Sequence, residues 1–350
     1  MEEIKLSMRS ALNLIIYSPR RMGKTSVVLK ALRELEEEGY PTVYIDFFKV
    51  TSREKFIELY ARELMRGEAD WKRGMKLLQG VIRGIRPVMG FDPGGSPELR
   101  LTVDPQLAAA AFDDVINIPA KQIRKKPWAI VFDEFQEIEK LNGNSFEKEL
   151  RANLQHHQHA GYTFLGSQRH LMLNMFSRKE RAFYNFGKLF RLQKLPEEES
   201  LQFILERFNA GGYTVPEAVA REIVVQARNI PYYVQYLCAE VWQLARVSGK
   251  TPEAVAEEGL KQVLTNQADY FFGMISQLTA YQLQVLTSVA TEGSGSFAGE
   301  FLERHRLYPA SSLQRAYKRL IDLSILEKQE GKFVVEDPLF EMWVRENMRG

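Results

Sequence analysis

A short polar segment near the N-terminus has the spacing of a phosphate-binding loop. The segment Ser18–Thr25 reads Ser-Pro-Arg-Arg-Met-Gly-Lys-Thr. It matches the pattern G-x-x-x-x-G-K-[ST] except that a serine takes the place of the first glycine. An apolar run, 12–17, precedes the segment, and a helical pattern, 25–38, follows it. This order of strand, loop and helix is the context in which such a loop binds a nucleoside triphosphate.

Several residue types in this loop have a chemical use on a triphosphate. A helix N-terminus presents unpaired backbone N–H groups and the positive end of the helix dipole to an anion. Gly23 can adopt backbone angles that a side chain would forbid, Lys24 can reach the β- and γ-phosphates, and Thr25 offers a hydroxyl to Mg²⁺. The residues predicted to bind the nucleotide in this segment are Ser18, Pro19, Arg20, Arg21, Met22, Gly23, Lys24, Thr25 and Ser26.

A second polar group stands at the end of another apolar run. The segment Trp128–Gln136 is apolar up to two consecutive acids, Asp133 and Glu134. At a strand tip beside a phosphate loop, one carboxylate can organise Mg²⁺ through its water shell, and a second can polarise an attacking water. Asp133 is therefore predicted to serve the metal together with Thr25, and Glu134 to act as the general base. The alternative is a strand that ends in two solvated acids.

Two further positions could contact the γ-phosphate. Ser167 and Gln168 end an apolar run, so either could present a polar side chain beside the acidic strand; the alternative is a strand cap. A guanidinium could stabilise charge on the transferring phosphoryl group, in the same chain or in a neighbour's site. Arg181 is the first candidate for this catalytic role and Arg178 the second, with a basic solvated loop as an equal alternative.

The elements that must position these residues alternate between strand and helix over residues 1–195, which predicts an α/β domain with a parallel sheet. A helix is expected over Ser52–Ile85, followed by a hairpin within 86–104. A helical domain is predicted over 196–277, including one helix over Pro252–Ser276. The predicted strands are Leu12–Tyr17, Thr42–Phe47, Ala129–Asp133, Tyr162–Gly166 and Leu189–Leu192.

The region 278–350 has the order of a winged helix-turn-helix. An amphipathic helix, Ser311–Leu323, precedes two strand-like segments, Leu326–Gln329 and Lys332–Glu336. The helix carries basic residues that could meet DNA phosphates. However, the region holds nine Lys and Arg against ten Asp and Glu, a balance that is unfavourable for phosphate-driven binding. The alternative is that this domain packs on the core or binds a protein. The basic residues are Arg315, Lys318 and Arg319.

Composition narrows the class of protein. The net charge of +2 gives the whole chain no strong attraction for nucleic acid or acidic lipid, and the single cysteine, Cys238, excludes an internal disulfide. No apolar run reaches the ~18 residues of a membrane span, and the N-terminal residues lack signal-peptide features, so a cytoplasmic location without membrane contact is expected. Three histidines, His156, His157 and His159, could bind a transition metal; the alternative is a solvated helix end.

Taken together, these motifs resemble the archaeal-type ATPase family, which comprises P-loop NTPases related to AAA+ and STAND proteins. Besides the loop at 18–25, the resemblance rests on Val131–Gln136, Gly166–Gln168 and Asn229–Tyr232, although Asn229 stands where the family usually has glycine. It also rests on Arg181–Tyr184 and Glu336–Pro338.

The resemblance implies a P-loop NTPase parallel sheet of the AAA+/ASCE type, a helical lid and a C-terminal winged helix. It implies ATP as the nucleotide, with Mg²⁺, and places the lid proline, Pro231, near the base. The expected function is an ATPase that couples hydrolysis of ATP to ADP to a conformational change. The alternative is a slow or non-hydrolysing nucleotide-gated switch that binds DNA or a partner protein through its winged helix.

Overall fold

The protein divides into two compact units, Met1–Gln193 and Lys194–Gly350. The computed structural model describes residues 1–66, 84–91, 97–122, 125–141 and 144–348 of the 350. The first unit ends near the predicted end of the α/β domain. The second contains both the predicted helical domain, 196–277, and the predicted winged-helix region, 278–350.

Among the described residues of the first unit, five of seven strands form a parallel sheet in the order β2-β5-β6-β1-β7. The sheet strands β1, β5 and β6 are almost wholly buried, which explains their near-continuous apolar sequences. The predicted α/β class is therefore confirmed. The strands, in chain order, are β1 Leu14–Tyr17, β2 Thr42–Asp46, β3 Ile85–Phe91, β4 Pro97–Val103, β5 Trp128–Asp133, β6 Ala160–Gly166 and β7 Lys188–Arg191.

The sheet register brings the polar strand ends to one edge. β1 lies between β6 and β7, with Tyr17 opposite Gly166. β5 lies between β2 and β6, with Asp46 opposite Asp133. Because all these pairs are parallel, the residues that follow each strand meet at the carboxyl edge of the sheet.

Helices and buried side chains cover both faces of this sheet. One face carries a large aromatic core, in which Phe132, Phe135 and Phe164 contact one another. The other face carries a smaller cluster that includes Ile16 and Val131. The α-helices of this unit are α1 Glu2–Arg9, α2 Lys24–Glu37, α3 Arg53–Arg66, α4 Ala108–Ile116, α5 Ile118–Lys121, α6 Asn144–Leu154 and α7 Arg169–Ser177. Short 3₁₀ helices cover Phe47–Lys49, Pro105–Leu107 and Phe135–Lys140.

The helix predicted over Ser52–Ile85 needs correction at its end. Residues 53–66 form α3, whereas 67–83 lie outside the described residues. Ile85 lies in β3 and not in a helix, and Gly84 before it has a left-handed φ of 86°, outside the range of a right-handed helix. The hairpin prediction is confirmed, since β3 and β4 pair antiparallel as a separate two-stranded sheet.

The second unit is helical apart from one hairpin. The helix predicted over Pro252–Ser276 is in fact two helices that meet at Gln267. In α15, Leu313 and Leu320 are buried, and the three basic side chains Arg315, Lys318 and Arg319 are exposed, which agrees with the predicted amphipathic helix. The elements are α8 Glu197–Ala210, α9 Glu217–Gln226, α10 Pro231–Ser248, α11 Pro252–Asn266, α12 Ala268–Ser276, α13 Ala280–Glu292, α14 Gly299–His305, α15 Ala310–Asp322, β8 Leu326–Gln329, β9 Lys332–Val335 and α16 Pro338–Asn347. None of the helices in the described part of the chain has the length and apolarity of a membrane span.

Candidate nucleotide-binding site

The predicted phosphate loop lies between β1 and α2. Gly23 precedes the first residue of α2 and has a φ of 81°, and Arg21 is also left-handed, with a φ of 66°. A side chain at position 23 would meet no atom within 4 Å, so the glycine is needed for its backbone angles rather than for space. Ser18 is not among the residues with positive φ, which explains why a serine is accepted at the position of the first loop glycine.

Lys24 lies under this loop and is buried. Its Nζ donates hydrogen bonds to the carbonyl oxygens of Ser18, at 2.9 Å, and of Pro19, at 2.8 Å. The ammonium group is therefore fixed across the loop by the loop's own backbone. This is the position from which a lysine can neutralise charge on a phosphate held by the loop.

Asp133 joins the loop to the acidic strand. Its buried carboxylate accepts a hydrogen bond on Oδ2 from Thr25 Oγ1 and another from the hydroxyl of Tyr44, each at 2.7 Å. Its Oδ1 accepts a hydrogen bond from the backbone N–H of Glu134 at 2.8 Å. Burial, followed by the hydrogen bond to Asp133, raises the pKa of Tyr44 well above its usual value, so this hydroxyl stays protonated.

The donor set around Asp133 fits Mg²⁺. A hydroxyl and a carboxylate are hard oxygen ligands, and Mg²⁺ is usually held by one or two carboxylates with phosphates and several waters. Within the described ranges, no group of three or more His, Cys, Asp or Glu side chains could hold a metal ion. Thr25 and Asp133, the two residues predicted to hold the metal, are joined by a hydrogen bond.

Glu134 follows Asp133 with a left-handed φ of 49°. Its Oε2 accepts a hydrogen bond from Ser167 Oγ at 2.7 Å and a second from Gln136 Nε2. Gly166 leaves room for the buried Gln136 amide, because an added Cβ there would lie 2.8 Å from Gln136 Oε1. Ser167 was predicted as a site residue, whereas Gln136 was missed; its sequence signal is its position two residues after Glu134.

Glu134 and the phosphate loop border a cavity of about 490 Å³. Phe48, a lining residue that sequence reasoning missed, is 55% exposed although it follows a buried strand. The cavity is within the size range of small-molecule sites. Its lining residues are Arg20, Arg21, Gly23, Lys24, Thr25, Ser26, Phe48 and Glu134.

Arg181 does not line this cavity. Its guanidinium lies between two acids: Nη2 is 2.6 Å from Glu147, and Nη1 is 2.7 Å from Glu139. Arg178, the second candidate, is exposed. A role for Arg181 on a phosphoryl group stays a prediction, and it would require both ion pairs to break.

The segment that the resemblance places near the base begins α10. Pro231 is the first residue of this helix, where a missing N–H costs nothing. Asn229 has a left-handed φ of 52°, which accounts for an asparagine at a position where the family usually has glycine. Its side chain donates to the carbonyl of Leu195 at 2.8 Å and accepts from Ser200 Oγ at 2.6 Å. The contact of Pro231 with a base stays a prediction.

The histidine cluster does not form a metal site. His157 hydrogen-bonds through Nδ1 to the hydroxyl of Tyr162, at 2.5 Å, and through Nε2 to Oδ1 of Asn117, at 2.9 Å. Both ring nitrogens are thereby engaged, while His156 and His159 are exposed. Burial lowers the pKa of His157 to about 4.

The parallel sheet and the loop beneath its carboxyl edge define a P-loop ATPase fold. Residues 2–237 match the family described as an ATPase domain predominantly from Archaea, and residues 269–346 match a probable winged helix domain. The first match spans more than half of the chain, so the protein belongs to this archaeal ATPase family.

Solved structures share the fold at low sequence identity. The Walker-type ATPase of Pyrococcus abyssi is 14% identical with a TM-score of 0.67, over 98% of this chain and 95% of that one. The ORC2 protein of Aeropyrum pernix, in its ADP form, is 13% identical with a TM-score of 0.55, over 100% of this chain and 92% of that one. No curated protein sequence matches the chain.

Proposed function

We propose that this protein binds ATP with Mg²⁺ at the loop 18–25 and hydrolyses the γ-phosphate, coupling hydrolysis to a conformational change. The observation that carries the proposal is the hydrogen bond from Thr25 to Oδ2 of Asp133. Because Thr25 bonds to it, the phosphate loop and the acidic strand are connected, and Glu134 borders the same cavity. Membership of an ATPase family supports the same reaction.

Hydrolysis of a phosphoanhydride needs positioning and charge neutralisation more than covalent chemistry. Lys24 supplies positive charge beneath the loop, and the N-terminus of α2 supplies backbone donors. Thr25 and Asp133 would hold Mg²⁺, which supplies charge neutralisation on the phosphates when bound. Glu134 is the group that can accept a proton from water, once its Oε2 is no longer occupied by Ser167 and Gln136.

Two substitutions test this proposal. We expect Lys24→Ala to lose nucleotide binding, because its ammonium group, held at the carbonyl oxygens of Ser18 and Pro19, is placed to neutralise a phosphate bound by the loop. We expect Glu134→Gln to bind ATP normally but to turn over about 10²–10⁴-fold more slowly, the range of a lost general base. Nucleotide affinity is measured by fluorescence with a labelled ATP analogue, and turnover by phosphate release.

Lys30→Ala is the matched control for Lys24, because Lys30 is an exposed lysine on the same helix. We expect this control to behave as wild type in both assays. Wild-type turnover in Glu134→Gln would show that the general-base assignment is wrong.

A second candidate function is a nucleotide-gated switch whose output is binding through the winged helix. It is favoured by α15, which presents Arg315, Lys318 and Arg319 to solvent in a region that matches a winged helix domain. Phosphate release measured with and without duplex DNA separates the two functions. Absence of release under every condition, with nucleotide binding intact, would support the switch and contradict the ATPase.

A further inference from the structure

Tyr44 is joined to the predicted metal site although it stands outside every motif of the sequence. It lies in the middle of β2, and its hydroxyl donates to Asp133 Oδ2 at 2.7 Å. The same oxygen accepts the hydrogen bond from Thr25. Two hydroxyls from two different elements, β2 and α2, therefore converge on one buried carboxylate oxygen.

The sheet explains how the hydroxyl reaches this carboxylate. Tyr44 is opposite Val131 in the parallel register of β2 and β5, one side-chain repeat before Asp133. Since alternate residues of a strand share a face, Tyr44, Val131 and Asp133 project from the face that packs against α2. A tyrosine at this position is long enough for its hydroxyl to meet the end of the neighbouring strand.

Tyr44 also lines a second cavity. This cavity, of about 370 Å³, lies among α2, β2 and α3 and is lined by Tyr44, Arg33 and Arg62, among other side chains. Tyr44 is half-buried, whereas Asp133 is only 3% exposed. The tyrosine thus contacts the cavity on one side and the carboxylate on the other.

We propose that Tyr44 is a positioning residue for Mg²⁺: its hydrogen bond fixes the orientation of the Asp133 carboxylate that organises the metal's water shell. The Thr25 oxygen can face a metal ion only while its hydroxyl still donates a hydrogen bond to Asp133. This geometry requires that the Asp133 carboxylate does not rotate. Tyr44 supplies the second restraint on Oδ2, and the N–H of Glu134 holds Oδ1. Partners of this kind tune metal affinity without contacting the metal.

This role rests on the proposed Mg²⁺-dependent function, and the test separates the two. The full-length Tyr44→Phe variant removes only the hydroxyl and keeps the ring. A labelled ATP analogue is bound first in EDTA and then titrated with Mg²⁺. We expect the half-saturating Mg²⁺ concentration to rise about 10-fold, the lower end of the effect of losing such a partner, while the affinity in EDTA stays at the wild-type value.

Tyr40→Phe is the matched control, because it removes a hydroxyl just before β2, from a tyrosine whose ring contacts Lys126. We expect it to titrate as wild type, and thermal unfolding in EDTA confirms that both variants are folded. An unchanged Mg²⁺ titration in Tyr44→Phe, or an equal loss of affinity in EDTA, would show that Tyr44 does not position the metal. If Mg²⁺ does not change the affinity of the wild-type protein for the ATP analogue, the Mg²⁺-dependent function itself is refuted.

Discussion

In the proposed reaction, Glu134 is the general base, and its carboxylate already accepts two hydrogen bonds. Ser167 and Gln136 both donate to its Oε2. Two donors on one oxygen restrain the orientation of the carboxylate. Because Gln136 is buried beside Gly166, its amide has little room to move, so its main effect is to fix the direction of Glu134.

Gln136→Met tests this restraint by removing the donor while keeping a side chain of similar volume. We expect turnover to fall about 10-fold, which corresponds to about 1.5 kcal/mol for a hydrogen bond to a charged group, with unchanged affinity for ATP. Steady-state phosphate release gives kcat and KM separately. The control is Gln202→Met, at an exposed position of α8. An effect on ATP affinity alone would mean that Gln136 acts on the loop and not on Glu134.

At the scale of elements, His157 connects three parts of the first unit. It follows the end of α6 and bonds to Tyr162 in β6 and to Asn117 between α4 and α5. Burial lowers its pKa from 6.5 to about 4, so the folded protein keeps the ring neutral where the unfolded chain protonates it. The unfolded state therefore binds more protons between these two pH values, and stability is lost as the pH falls through them.

We expect the free energy of unfolding of the wild type to decrease by about 3 kcal/mol between pH 7 and pH 4 through this group, at 1.36 kcal/mol per pKa unit. His157→Gln removes the titrating group and should lose that part of the pH dependence. His159→Gln, which changes an exposed ring, should retain it. Urea denaturation at pH 7, 5.5 and 4 measures the free energy of unfolding of the wild type and of both variants. Parallel pH profiles for wild type and His157→Gln would contradict the assignment.

The sequence predicted those elements whose pattern is set locally. Buried parallel strands such as β5 are continuous apolar runs in the sequence. The spacing of apolar residues in α15 predicts which side of the helix is buried. The pairing of Thr25 with Asp133 was also predictable, because parallel strands bring their carboxyl ends to one edge. The contact of Tyr44 with Asp133 was not, since it depends on the register between β2 and β5. Helix α16 was likewise missed.

At the scale of the whole molecule, the division into two units places the helical region and the winged helix together. Glu341 on α16 is buried and lies between the guanidinium groups of Arg228, after α9, and Arg345. Arg228 also donates to the carbonyl of Val335 in β9 at 2.7 Å. One arginine therefore joins the helical region to two elements of the winged helix, three residues before Pro231.

Arg228→Met tests whether this arginine holds the second unit together. Removing one partner of a buried ion pair leaves an incompletely compensated carboxylate, so we expect the second unit to lose about 3 kcal/mol of stability. Hydrogen exchange measured by mass spectrometry should localise the loss to 194–348, with protection of the first unit unchanged. The control is Arg221→Met on α9, whose ion pairs with Glu197 and Glu217 are exposed to solvent, so we expect this variant to unfold like the wild type.

Adding Glu341→Leu to Arg228→Met distinguishes loss of the ion pair from loss of packing. Because the double variant no longer buries the carboxylate, we expect its stability to exceed that of Arg228→Met alone. The two changes should then be strongly non-additive, as expected for residues in direct contact. Additive losses would show that Arg228 stabilises the second unit through its bond to Val335 rather than through Glu341.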